Sequence, residues 1–172
     1  MGAHVEEIWM TRIFVREPGG LGWGILRFSE EDAFVSIQSD YGNWSHVWPK
    51  RHLGRPSVAA FLAEVECDYA GDKMLGADRD VYDEERTVKW IKEWILECRR
   101  EGAWTGDRAR EEWELLGLLE ERGFDAWCWE TSIDDACGMR RERIDRSFKM
   151  FWDRIWEPHI RPELRRFAEQ AA

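Results

Sequence analysis

The sequence lacks the patterns that declare the commonest chemistries. None of the four cysteines, Cys67, Cys98, Cys128 and Cys137, forms a Cys-x-x-Cys pair, and no histidine lies three to five residues from one of them. That spacing gives a zinc site no support. No stretch of about 20 apolar residues and no basic-then-apolar amino terminus occur, so neither a membrane span nor a secretory signal is expected. Without a secretory signal a disulfide framework is not expected either, and the cysteines read as reduced thiols, most of them small buried hydrophobes. The phosphate loops Gly-x-x-x-x-Gly-Lys-Ser/Thr and Gly-x-Gly-x-x-Gly and the metal motif His-Glu-x-x-His are missing. Positive charge is short as well. Against 35 Asp and Glu stand 25 Lys and Arg, a net charge of −10. That balance argues against nucleic acid or anionic lipid as the main partner.

What is present is globular. A chain of 172 residues, 44% hydrophobic and 35% charged, is long enough to bury a core without metal or disulfide. It is expected to form a single α+β domain, residues 1–172, soluble and cytoplasmic. Tryptophan is the surplus: 12 residues, one in fourteen. Indoles fill cores because each buries a large area, and they also anchor interfaces. With twelve of them, some are expected at the surface.

Residues 1–53 read mainly as strands. Ile8–Arg16, Trp23–Phe28 and Ala33–Ser39 are apolar runs, and a fourth strand follows Gly42-Asn43, read as a two-residue hairpin turn. The expectation is an antiparallel meander of about four strands. Residues 54–172 read mainly as helices, four to six of them, packed on one face of that sheet. Ser57 is placed to cap Val58–Val65, and a short helix is read over Asp68–Leu75. The clearest helix runs from Asp83 to Glu101. Its residues Thr87, Val88, Trp90, Ile91, Trp94, Ile95 and Cys98 fall within about 160° of arc at ~100° per residue, and Gly102 follows as a C′ glycine. Thr105 is read as the cap of a helix ending at Arg122 before Gly123, with Ala109, Trp113, Leu116 and Leu119 as its apolar stripe. A last helix is expected over Arg141–Trp156, stopped by Pro158, with Pro162 opening a short terminal helix.

Charge is segregated along the chain. Residues 1–53 carry a net −2, residues 54–135 a net −11 and residues 136–172 a net +3. The candidate partner-binding residues are therefore the glutamates of the central helices: Glu84, Glu85, Glu93, Glu97, Glu111, Glu112, Glu114, Glu120 and Glu121. Arg140, Arg141, Arg143 and Arg146 form the alternative, a basic cluster suited to nucleic acid. Attraction between the two segments within one fold is the plainer reading, with surface pairs contributing about 0–1 kcal/mol each.

Other constellations are weaker. Pairing the strands tightly about Gly42-Asn43 sets Ser39 opposite His46 on the face shared by Ile37, Tyr41, Trp44 and Trp48. A Ser–His contact beside the sheet suggests a small-molecule enzyme pocket. No Gly-x-Ser-x-Gly elbow or oxyanion hole accompanies it, so a structural hydrogen bond is the plainer reading. The acidic run from Asp78 to Glu85 resembles a calcium loop but has Asp83 where glycine is required and Lys89 where glutamate is required. It reads instead as a lead-in whose carboxylates favour the positive end of the next helix. His4-Val5-Glu6 matches half of a deaminase signature that lacks its second half. No catalytic residue, metal ligand or cofactor is assigned.

Several short strings together resemble an uncharacterised family of small proteins encoded by phages and prophages. They are Ser39-Asp40-Tyr41-Gly42-Asn43-Trp44, Asp68-Tyr69 with Lys73-Met74-Leu75, Thr87-Val88, Ile95 through Gly102, and Phe151 through Ile155-Trp156 to Pro158, where Glu157 interrupts the family's Ile-Trp-Pro. The resemblance implies a mobile element in a bacterial host. Joined to the acidic centre and the surplus tryptophan, it favours a non-enzymatic protein. Such a protein would bind a basic host surface and inhibit a nucleic-acid-binding defence complex, as anti-CRISPR proteins do. A nucleic-acid-binding accessory protein and an enzyme using Ser39, His46 or Tyr41 are the alternatives.

Overall fold

The computed structural model describes residues 7–20 and 22–170. His4-Val5-Glu6 and Leu21 lie outside the described residues. The architecture is α+β, with a four-stranded antiparallel sheet first and helices after it. Strands β1 (Thr11–Arg16), β2 (Trp23–Phe28), β3 (Phe34–Ser39) and β4 (Asn43–Val47) lie in that order across the sheet. Each pairs with its sequence neighbour, as a meander requires. Alternation sends Gly24, Leu26 and Phe28 of β2 and Val35, Ile37 and Ser39 of β3 to the buried face.

The described chain falls into two compact units. One is built from residues up to Arg79 together with those from Ile144 onward, and the other from Asp80–Arg143. In the first, helices α1 (Val58–Glu64) and α2 (Cys67–Met74) follow the sheet. The chain returns at its end as α7 (Arg146–Phe151), a π-helical segment (Trp152–Ile160) and α8 (Arg161–Gln170). Leu26, Phe28, Val35 and Ile37 meet Phe148, Phe151, Trp152, Ile155 and Trp156 in one core. Trp44 on β4 sets its ring edge-on to Phe148 at 5.0 Å. Packing against β2 is close: a Cβ on Gly24 would stand 2.9 Å from Ile155 Cγ2.

Ser57 caps α1 as its sequence implies, its hydroxyl accepting from the Ala60 N–H. A second cap comes from 28 residues away. Glu30, in the β2–β3 turn, accepts from the backbone N–H groups of Val58 at 2.7 Å and Ala59 at 3.0 Å. The free N–H groups of a helix start favour a carboxylate there. Glu30→Ala should therefore lower the unfolding free energy by about 1–2 kcal/mol, read as a lower urea midpoint at unchanged slope. A variant as stable as the parent would show that the carboxylate does no capping.

The end of the chain departs from expectation. Pro158 does not stop the helix, which runs on to Gln170. A proline in an α-helix removes one hydrogen bond and clashes with the preceding turn. The wider π turns of Trp152–Ile160 absorb it, held by the burial of Trp152, Ile155, Trp156 and Ile160. The helix also starts at Arg146 rather than Arg141. Asp145 caps it by accepting from the Phe148 N–H at 2.9 Å, and Glu142–Ile144 forms strand β6, paired with β5 (Asp80–Tyr82).

The second unit has its own core of Ile91, Ile95, Trp104, Leu116, Leu119, Phe124, Trp127 and Ile133. Helix α3 (Glu84–Arg100) is capped by Asp83, which accepts from the Arg86 N–H, and ends before Gly102 at φ +73°. Thr105 caps α4 (Gly106–Leu115). The helix expected to reach Arg122 breaks at Leu116 and resumes as α5 (Gly117–Arg122). Gly123, at φ +86°, then turns the chain into α6 (Phe124–Glu130), an element that the sequence pattern did not mark.

Candidate functional site

The nine glutamates do not behave alike. Glu112 is corrected outright as a partner-facing residue, for it is only 3% exposed. Its carboxylate accepts from Thr131 Oγ1 at 2.5 Å, from the Ser132 N–H at 2.9 Å and from Ser132 Oγ at 2.6 Å. It ties α4 to the segment after α6. Trp113, read from sequence as part of the buried stripe, is 40% exposed instead. Leu116 and Leu119 of that stripe are buried as read, and only at this turn does Glu112, with three donors inside the unit, take the inward place.

The other eight are exposed, and none makes an ion pair among the described residues. Glu84 and Glu85 occupy the first turn of α3, where the helix dipole favours them. Glu111, Glu114 and Glu121 are brought together. They line a shallow cleft of about 480 Å³ at the α4–α5 junction, with Leu115 and Leu118 among its walls. Glu120 is exposed on α5. The unit as a whole holds 18 acidic and 11 basic residues, a net −7. It also presents Trp90, Trp113 and Trp129, which are 41%, 40% and 88% exposed.

The arginine cluster is engaged by its own chain. Arg140 lies over the Tyr82 ring at 5.0 Å and pairs with Glu142 at 3.2 Å. Arg143 reaches Asp83 at 3.8 Å. Arg141 lies on the Trp90 ring at 4.3 Å. Arg146 belongs to α7 in the other unit. Arg140, Arg141 and Arg143 belong to the Asp80–Arg143 unit.

The pairing of Ser39 with His46 is overturned. The register sets Ile37 opposite Trp44 and Val35 opposite His46, and Ser39 opposite Gly24. The hairpin closes with a longer loop over residues 39–42. Ser39 Oγ donates to the Gly42 carbonyl at 2.9 Å and accepts from the Tyr41 and Gly42 N–H groups. A serine that satisfies the turn backbone in this way removes the need for a two-residue turn. His46 packs edge-on against Trp48 at 4.6 Å. Burial, with Lys73 second, pushes its pKa below the usual 6.5. An NMR titration should place the His46 midpoint below 6.5. The neutral imidazole stabilises the fold fully above that value, and the contribution fades as pH falls toward the folded midpoint. A midpoint at or above 6.5 would contradict this.

All four cysteines are free, and burial raises the Cys67 thiol to about 11. Among the described residues no cluster of three or more His, Cys, Asp and Glu side chains could hold a metal ion, and no helix is long and apolar enough to cross a membrane. A family model described as a phage family matches residues 3–166. The chain belongs to that phage family. No curated protein and no solved structure matches it. The phage protein carries one further arrangement that sequence reasoning missed. Arg86, Lys89, Trp90 and Glu93 on α3 share a cleft with Arg141. Their spacing of i, i+3, i+4 and i+7 on one helix face was the available signal.

Proposed function

We propose that this phage protein is a non-enzymatic binding protein acting in the cytoplasm of a bacterial host. Its Asp80–Arg143 unit occupies the basic surface of a host nucleic-acid-binding defence complex and inhibits it. The observation that carries the reading is the cleft lined by Glu111, Glu114 and Glu121, unpaired on a unit of net −7. Carboxylates held outward and uncompensated attract a Lys- and Arg-lined channel built for phosphates, and accelerate encounter with it. Exposed Trp113 and Trp129 supply rigid apolar area of the kind that anchors interfaces.

The test compares the parent with Glu111→Gln/Glu114→Gln/Glu121→Gln as baits in host lysate, followed by a nucleic-acid-binding assay on whatever is retained. The expected result is a partner retained at low salt by the parent, released as salt rises, lost with the triple variant, and weakened in its own nucleic-acid binding. Retention by both baits alike, or a partner whose nucleic-acid binding is untouched, would overturn the proposal.

A further inference from the structure

We infer that the cleft between α3 and Arg141 is a binding site for the phosphate group of a small ligand. It is a cationic hollow in an otherwise acidic unit. Arg86, Lys89 and Arg141 line it with Trp90 and one carboxylate, Glu93, and its volume is about 270 Å³. No ion pair within the unit joins Arg86, Lys89 or Arg141 to a carboxylate among the described residues. A surplus of cations left unneutralised beside eighteen acidic residues is placed for an external anion.

Arg141 is held ready from both its backbone and its side chain. Its N–H donates to Thr87 Oγ1 at 3.0 Å, and its carbonyl accepts from the Asp83 N–H at 2.9 Å. Thr87 is fully buried and therefore fixed. The guanidinium lies on Trp90, and its Nη1 donates to the Gly138 and Arg140 carbonyls at 3.1 and 3.3 Å. The Nε and Nη2 edge makes no hydrogen bond within the described chain. A planar fork held at one corner with the other edge open matches two oxygens of a phosphate, at little further entropic cost. Arg86 and Lys89, one turn apart on α3, add charge from the side. The volume suits a phosphate and the group directly attached, below the ~300 Å³ at which larger ligand pockets begin. This site does not depend on the acidic cleft.

The test is calorimetric titration of the full chain with inorganic phosphate, with adenosine 5′-monophosphate and with adenosine, at constant ionic strength. Saturable binding of phosphate and the monophosphate but not of adenosine is expected. Tighter binding of the monophosphate than of phosphate would identify a nucleotide as the source, and equal binding a free phosphate. Arg86→Gln/Lys89→Gln changes only exposed side chains and should weaken binding at least about ten-fold with unchanged melting temperature. No saturable binding at about 10 mM ligand, equal affinity in the double variant, or adenosine binding as tightly as the monophosphate would overturn the inference.

Discussion

Trp156→Ala is expected to remove about 3–5 kcal/mol of stability, among the largest losses available to one substitution. Trp156 is fully buried and stacks on Trp152 with ring centroids 4.7 Å apart and planes 14° from parallel. It also meets Phe151 at 6.4 Å. Removing the ring opens a cavity where the helical end of the chain packs on the sheet. The surrounding aromatics are too large to collapse into it. Trp156→Phe should cost far less, about 1 kcal/mol, for a specific reason. The Trp156 indole N–H has no acceptor in the described chain, so phenylalanine keeps most of the stacking and discards a buried donor without a partner. Urea midpoints read by near-ultraviolet circular dichroism measure both. Equal losses for Ala and Phe would overturn this account, since a phenyl ring kept in the stack would then contribute nothing.

Glu112→Ala should lose about 2–3 kcal/mol, because it leaves the Thr131 and Ser132 donors without their acceptor. Glu111→Ala, one residue away and exposed, should stay within about 0.5 kcal/mol of the parent. Glu112→Gln should fall between them, since its amide oxygen keeps one acceptor for Ser132 while the amino group faces the Thr131 hydroxyl. Midpoints for the three variants decide the matter. If Glu112→Ala matched Glu111→Ala, the buried carboxylate would contribute nothing, and its place among the surface glutamates would be restored. The comparison also separates stability from binding: Glu111 matters to the proposed partner and not to the fold, Glu112 the reverse.

The acidic surface rests on a distinction that composition alone does not make. Glu111, Glu112 and Glu114 are chemically equivalent in the chain. One turns inward because Thr131 and Ser132, about twenty residues later, wait there with three donors. With Glu112 inward, its neighbour Trp113 stands outward and gives the unit one of its exposed indoles. The cationic cleft follows similar logic. Arg141 was legible as basic, yet only its backbone bonds to Thr87 and Asp83 bring it to the face of α3 that carries Arg86 and Lys89.

Local chemistry determined much of this protein. The alternating apolar runs made the meander, and Ser57, Asp83 and Thr105 fixed three helix starts to within a residue. Gly102 ended α3, because a short-range hydrogen bond or backbone preference depends only on neighbouring residues. The tertiary structure alone decided where Trp44 packs, edge-on against Phe148, whereas the hairpin register follows locally from the Ser39 hydroxyl in its turn. It also carried the helix through Pro158, where burial of four neighbouring side chains outweighs a lost hydrogen bond. Finally, it gave the central helices a core of their own and settled which carboxylates face outward, since burial is set by residues distant in sequence that meet only once the chain has folded.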